Sequence, residues 1–120
     1  MFIKKLQDCT TIVAGDATIL KEILHPDKAD LAIGYSLAHA VVPVGRASLK
    51  HRLKTSEVYY ILSGKGIMHI DDQTSEVLAT DTVYIPPGAV QWIENTGAEP
   101  LVFLCMVDPP WRAADEEVLP

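Results

Sequence analysis

Short apolar segments separated by glycine and proline turns run through most of this 120-residue chain, and they constrain its fold more than any other feature. The segments EVYYIL, GIMHID, AVQWIENTG and LVFLCMV are all of strand length. Ser63-Gly64, Pro86-Pro87-Gly88 and Asn95-Thr96-Gly97 interrupt them. Nearer the N-terminus, a Gly-Asp turn divides TTIVAGDATILKEIL into two apolar runs. Short strands at this spacing, with little helical periodicity, are typical of an all-β sandwich or barrel.

The Ser63-Gly64 turn also predicts which side chains share a face. If these two residues form the loop of a β-hairpin, Tyr59 pairs with Met68 and Glu57 pairs with Ile70. Side chains alternate along a strand, so one face carries Glu57, Tyr59, Ile61, Met68 and Ile70, and the other carries Val58, Tyr60, Ile67 and His69. A carboxylate on such an apolar face needs a partner, a metal or a shifted pKa. Glu57 is therefore the main chemical clue in the sequence.

Two spaced motifs resemble those of the cupin superfamily. Its first motif is glycine, five residues, His-x-His, three or four residues, Glu, six residues and glycine, and the positions here hold Gly45, His51, Leu53, Glu57 and Gly64. Its second motif is glycine, five residues, Pro-x-Gly, two residues, His, three residues and Asn, and the positions here hold Thr80, Pro86, Gly88, Gln91 and Asn95. The strand pattern that accompanies them covers nearly the whole chain.

The resemblance implies an all-β fold, the cupin double-stranded β-helix or jelly-roll-like barrel, with short N- and C-terminal extensions. We expect a single cupin domain over residues 1–120, with a barrel core at about 31–107 and a C-terminal tail at 108–120. More narrowly, the chain resembles the small cupins described as cupin 2 conserved barrel or mannose-6-phosphate isomerase-like proteins. That description names a similarity and does not establish an isomerase.

The resemblance also implies a metal site, and this chain matches it incompletely. The family usually holds its metal with two histidines and the glutamate of the first motif and the histidine of the second, which correspond to His51, Leu53, Glu57 and Gln91. In the first interpretation His51, Glu57 and Gln91 bind Mn²⁺, Fe²⁺, Ni²⁺ or Zn²⁺. With His51 and Glu57 as catalytic groups, such a site suits an isomerase, lyase or oxygenase acting on a small sugar-like or carboxylic substrate.

Two other interpretations need no metal. In one, His51, Glu57 and Gln91 form a hydrogen-bonding cluster at one end of the barrel, where Glu57 fixes the tautomer of His51 and raises its pKa. Tyr59, Met68 and Gln91 would then bind a small ligand. In the other, the protein is a dimeric scaffold, and His51 and Glu57 form only an internal ion pair, although such a pair contributes little net stability.

Charge and cysteine content narrow the range of partners. The formal net charge is −6 and Lys and Arg are not clustered in runs, so we expect no nucleic-acid or anionic-membrane partner. Cys9 and Cys105 lie far apart without a CxxC pattern, which argues against a disulfide framework or a thiolate metal site. The sequence shows no signal peptide and no apolar stretch long enough to span a bilayer, so a cytoplasmic location is expected.

The remaining predictions concern the outer surface and the tail. His69 is predicted to face away from Glu57, and Trp92 away from Gln91, where the indole would form a homodimer contact. Trp111 is predicted to pin the tail onto the barrel or to close the mouth of the pocket. A solvated rim is favoured over an anion-attracting site for the basic residues Arg46, Lys50, Arg52 and Lys54.

Overall fold

In a computed structural model, which describes residues 1–120, eleven strands form two antiparallel sheets. In chain order the strands are β1 (Thr11–Val13), β2 (Ile19–Leu24), β3 (Ser36–Val42), β4 (His51–Leu53), β5 (Ser56–Ser63), β6 (Lys65–Ile70), β7 (Gln73–Leu78), β8 (Thr82–Ile85), β9 (Gln91–Asn95), β10 (Leu101–Asp108) and β11 (Glu116–Val118). Sheet A has the order β1-β2-β3-β10-β5-β8, and sheet B has the order β11-β4-β9-β6-β7. The all-β jelly-roll barrel expected from the sequence is confirmed.

The core lies between the inner faces of the two sheets. Alternation produces it: along β10, Leu101, Phe103, Cys105 and Val107 are buried, whereas the side chains between them are at least partly exposed. The Phe103 ring packs against the Tyr59 ring of the neighbouring strand with centroids 4.4 Å apart. Burial of each large apolar side chain contributes about 2 kcal/mol, so this two-sided core supplies most of the driving force for folding.

The predicted hairpin between β5 and β6 is wrong. In sheet A, β5 lies between β10 and β8, and in sheet B, β6 lies between β9 and β7. The chain crosses from one sheet to the other at Gly64, whose φ of +85° and close approach to the Pro100 carbonyl favour glycine. β9 and β10, which are also consecutive in the chain, likewise lie in different sheets. Two strands that each carry an apolar face bury it more completely by facing each other than by lying side by side.

The predicted inward set nevertheless holds. Glu57, Tyr59 and Ile61 are buried on β5, and Met68 is buried on β6. The two groups meet across the barrel interior and not across a strand ladder. His69 lies on the outer face of sheet B, where its ring stacks on Trp92 at a centroid distance of 3.6 Å. The prediction that His69 and Trp92 face outward is confirmed, and the homodimer stays a prediction.

The two ends of the chain are added to the barrel edges. Near the N-terminus β1 pairs with β2 through a turn at Gly15 and Asp16, as the Gly-Asp signal predicts. The C-terminal tail contains a short 3₁₀ helix (Ala113–Asp115) followed by β11, which pairs with β4. A second 3₁₀ helix covers Leu6–Asp8. The structure contains no helix with the length and apolar character needed to cross a membrane.

Candidate functional site

A cavity of about 200 Å³ lies inside the barrel and is lined by strands and by both chain ends. Barrel strands contribute His51, Leu53, Glu57, Tyr59, Ala38 and Phe103, and the chain ends contribute Asp16, Thr18, Leu20, Trp111 and Glu116. A larger open groove of about 760 Å³ runs between β7 and β8, but His51, Glu57 and Gln91 are not among its lining residues. The smaller cavity is therefore the candidate site, because it brings ionisable groups together behind apolar walls.

A chain of buried hydrogen bonds holds Glu57 at the wall of this cavity. The Tyr59 hydroxyl donates to Gln91 Oε1 at 3.0 Å, and Gln91 Nε2 donates to Glu57 Oε1 at 2.9 Å. Gln91 is 1% exposed and lies behind Glu57, outside the cavity lining. Glu57 is 6% exposed, and its second oxygen, Oε2, makes no hydrogen bond within the chain. These hydrogen bonds thus orient the Glu57 carboxyl group and leave its Oε2 facing the cavity.

Burial changes the acid–base properties of these groups. The pKa of Glu57 is raised from 4.5 to about 8. Loss of solvent is the main cause and the nearby Asp16 and Glu116 carboxylates add to it, while the Gln91 hydrogen bond opposes it. Glu57 is therefore mostly a neutral carboxylic acid at pH 7. Burial also raises the pKa of Cys105 well above its usual value, so this cavity-lining thiol stays protonated.

His51 faces the same cavity from β4. Its Nδ1 lies 2.8 Å from the Leu49 carbonyl oxygen, which only accepts hydrogen bonds, so Nδ1 carries a proton. Its Nε2 lies 3.5 Å from Asp16 Oδ2. The other oxygen of Asp16 accepts hydrogen bonds from the Thr18 amide at 3.1 Å and the Thr18 hydroxyl at 2.7 Å. These contacts fix the orientation of the His51 imidazole and of the Asp16 turn beside it.

The C-terminal tail closes the cavity opposite the barrel strands. The Trp111 amide donates to Ser36 Oγ at 2.9 Å, and the Trp111 indole Nε1 donates to Glu116 Oε2 at 3.0 Å. A Cβ atom at position 15 would collide with Glu116 Oε1, so Gly15 lets the N-terminal turn contact the tail. Trp111 both holds the tail on the barrel and lines the cavity, which joins the two roles that the sequence left open.

Sequence reasoning missed Asp16 and Glu116 as site residues. Asp16 carries a signal that is visible in the sequence: an aspartate two residues before a threonine, next to glycine, favours a turn in which the carboxylate bonds the following backbone. Nothing in the sequence places that turn beside His51, because the two are 35 positions apart. Glu116 lies in the tail and reaches the cavity only because β11 pairs with β4.

The predicted metal ligands, as arranged, do not fit a metal. Leu53, at the position of the second histidine, presents only carbon to the cavity. The amide oxygen of Gln91 accepts the Tyr59 hydroxyl, and its amino group donates to Glu57. No group of three or more His, Cys, Asp or Glu side chains has the geometry to hold a metal ion. A catalytic metal normally requires three protein ligands, and this arrangement does not supply them.

Other predicted residues lie away from the cavity. Met68 is buried in the core and borders the open groove between β7 and β8 instead. The basic side chains near the first motif are likewise absent from the cavity walls: Arg52 pairs with Glu117 at 3.0 Å, and the Lys50 ammonium lies over the Trp92 ring. Their position agrees with a solvated rim.

Residues 38–107 match the family described as Cupin domain. This stretch covers more than half of the 120 residues and includes both motifs. The chain therefore belongs to the cupin family, as the motif resemblance predicts.

Similarity to other proteins extends over a longer stretch than the family match. The uncharacterized protein MJ1618 of Methanocaldococcus jannaschii is 44% identical over 108 residues, which is 89% of this chain and 86% of that protein. The oxalate-binding protein of Thermotoga maritima is 33% identical over 88 residues, which is 72% of this chain and 68% of that protein. The crystal structure of a predicted oxalate decarboxylase, also from Thermotoga maritima, superposes with a TM-score of 0.78 and 22% identity, covers 90% of this chain and 99% of its own, and shows the shared fold.

Proposed function

We propose that this protein binds a small organic molecule inside the barrel without a metal at the motif positions. Glu57 and His51 would either recognise this molecule or catalyse a reaction of it. One observation carries the proposal: the hydrogen bonds from Tyr59 to Gln91 and from Gln91 to Glu57. They use the amide that would have served as a metal ligand, and they aim Glu57 at the cavity.

The energetics of this chain support the proposal. Gln91 is almost completely buried, so turning its amide oxygen toward a metal would leave the Tyr59 hydroxyl without an acceptor. A buried polar group that loses its partner costs about 1 to 3 kcal/mol. Gln91 is therefore a positioning residue for Glu57.

Glu57 and His51 have complementary hydrogen-bonding roles. Neutral Glu57 offers a proton from the oxygen that faces the cavity. Because Nδ1 of His51 is bound to the Leu49 carbonyl oxygen, Nε2 is the ring nitrogen left to act as an acceptor. A ligand held between them meets one proton donor and one proton acceptor in a site largely shielded from water. Such a pair suits proton transfer within one substrate, as in isomerisation or elimination.

Oxalate, which the Thermotoga relative is named for binding, is a poor candidate here. Lys28 is the only Lys or Arg that lines the cavity, and its ammonium pairs with Glu22. A dianion would enter a space walled by carboxyl groups with no free cation to receive it. For the same reason we do not extend the carboxylic-substrate hypothesis to this cavity.

The metal-free part of the proposal is tested by equilibrium dialysis of chelator-treated protein against Mn²⁺, Fe²⁺, Ni²⁺ and Zn²⁺ in turn. Wild type should retain less than one metal ion per chain. Leu53→His should bind roughly tenfold more tightly, because it places a second imidazole beside His51 on the same inward face. Leu53→Met, of similar size but without a nitrogen, is the control and should behave like wild type. Stoichiometric metal in wild type that is lost in Glu57→Gln would overturn the proposal.

The binding part is tested by NMR with benzyl alcohol as a neutral probe. The protein has two tryptophans, one lining the cavity and one on the outer face of sheet B. Binding in the cavity should shift the Trp111 indole N–H resonance in a saturable way and leave that of Trp92 unmoved. Leu53→Phe, which fills part of the cavity, should weaken the effect. Equal shifts at both indoles, or no saturable shift at Trp111, would count against a ligand site here.

A further inference from the structure

The charged side chains around the cavity have one predominant sign. Asp16 and Glu116 line it together with His51 and the neutral Glu57, whereas Lys28 is cancelled by its partner Glu22. The Arg112 guanidinium is held by Asp27, outside the lining set. Even a fully protonated His51 would balance only one carboxylate. A cation that enters the cavity therefore meets attraction, and an anion meets repulsion in a medium of low dielectric constant.

The carboxyl oxygens in the cavity also lack enough partners within the chain. Asp16 is 8% exposed, and its Oδ2 has only the His51 Nε2 contact at 3.5 Å, longer than a normal hydrogen bond. Glu57 Oε2 also makes no hydrogen bond in the protein, but it carries the proton of the neutral acid and would donate to a ligand. Asp16 Oδ2 is therefore the buried acceptor that has room for a ligand that brings a donor.

The remaining walls favour an apolar body. Leu20, Leu53 and Phe103 supply carbon surface, and the Trp111 indole lies beside the Glu116 carboxylate through its Nε1 hydrogen bond. An aromatic face next to a carboxylate attracts an organic cation through both the π-system and the charge. At about 200 Å³ the cavity accepts a body the size of a single ring.

We propose that the cavity selects a small organic cation, an ammonium group joined to a compact apolar body, and that Asp16 and Glu116 are its specificity-determining residues. The inference rests on the proposed function, since it names the ligand class of the same site. The ammonium would donate to Asp16 Oδ2 and Glu116, and the apolar body would lie against Trp111 and Phe103. Glu57 and His51 would then face the part of the ligand next to the charge.

The test compares three probes of similar shape at pH 7: benzylamine, benzyl alcohol and benzoate, which are cationic, neutral and anionic. Each is titrated into the intact protein while the Trp111 indole resonance is followed. We expect benzylamine to bind roughly tenfold more tightly than benzyl alcohol, and benzoate to bind most weakly. Asp16→Asn and Glu116→Gln keep the hydrogen bonds to Thr18 and Trp111 but remove a charge, so each should reduce the preference for benzylamine.

The outcomes separate the two proposals. Glu76→Gln removes an exposed carboxylate from the groove beside β7 and should leave the order of the three probes unchanged. If benzyl alcohol binds saturably but benzoate equals or exceeds benzylamine, the ligand class is wrong while the binding site stands. If none of the three shifts Trp111 saturably, the proposed function fails and this inference fails with it. A preference for benzylamine that persists in both Asp16→Asn and Glu116→Gln would overturn the roles given to these residues.

Discussion

The barrel strands and the two chain ends contribute to one cavity in different ways. The strands supply side chains that satisfy one another, as in the chain from Tyr59 through Gln91 to Glu57. The ends supply Asp16 and Glu116, whose carboxylates are each only partly used by Thr18 and Trp111. The family match over residues 38–107 includes the first group and excludes the second. In the proposed site the barrel strands position Glu57 and His51, and the chain ends add the Asp16 and Glu116 carboxylates to the cavity wall.

Gln91→Leu should disrupt the hydrogen-bond network of the barrel strands and have the largest effect of these substitutions. The substitution leaves the Tyr59 hydroxyl and Glu57 Oε1 buried without partners, so the free energy of unfolding should fall by about 3 to 4 kcal/mol. Urea denaturation measures the change. Tyr59→Phe alone should cost about 1 kcal/mol, but adding it to Gln91→Leu should recover part of the loss, because it removes the hydroxyl that Gln91→Leu leaves without an acceptor. Additive losses would mean that the three residues do not act as one network.

The difference in pH-dependent stability between wild type and Glu57→Gln reports on Glu57. Its pKa is raised from 4.5 in the unfolded chain to about 8 in the folded protein, so the folded state keeps a proton that the unfolded state has released. This contribution to stability is fully present below about pH 4.5 and is lost as the pH rises toward 8. Compared with Glu57→Gln, wild type should lose on the order of 3 kcal/mol between pH 5 and pH 8. Parallel stability curves for the two proteins would contradict the burial of Glu57.

Trp111→Ala tests the chain-end side of the comparison. Removing a half-buried indole and its hydrogen bond to Glu116 should lower the free energy of unfolding by about 2 kcal/mol. It should also abolish the binding of benzylamine, measured by calorimetry, because the cavity loses a wall. Trp92→Ala removes an indole of similar burial from the outer face of sheet B and should leave binding intact. Loss of binding in both variants would point to general unfolding.

Thr80→Gly addresses the backbone of the second motif and should have the smallest effect. Thr80 stands where the family has glycine, yet it keeps a φ of +75°, a conformation that is strained for a β-branched residue. Glycine should raise the free energy of unfolding by about 1 kcal/mol, as measured by urea denaturation. Thr82→Gly, at the first position of β8 where it pairs with Tyr60 of β5, should lower it instead. A loss of stability in both variants would mean that Thr80 is not strained.

Much of what the barrel strands contribute to the cavity was predictable from local sequence. The period-two alternation predicted that Glu57, Tyr59 and Met68 face inward and that His69 and Trp92 face outward, because side-chain direction along a strand depends only on the strand itself. The motif spacing pointed to His51 and Gln91, both of which are buried beside Glu57. The direction of side chains within one strand does not depend on strand pairing, so these positions held even though the hairpin from which the shared face was inferred is wrong.

The pairing of strands and the charge of the cavity were decided only by the tertiary structure. Adjacent strands such as β5 and β6 separate into opposite sheets because facing apolar surfaces exclude water better than a lone hairpin does. The same packing brings Asp16 and Glu116, 100 positions apart, into the wall of one cavity. A sequence pattern carries the direction of a side chain along its own strand, but a contact between distant segments exists only once the whole core has closed.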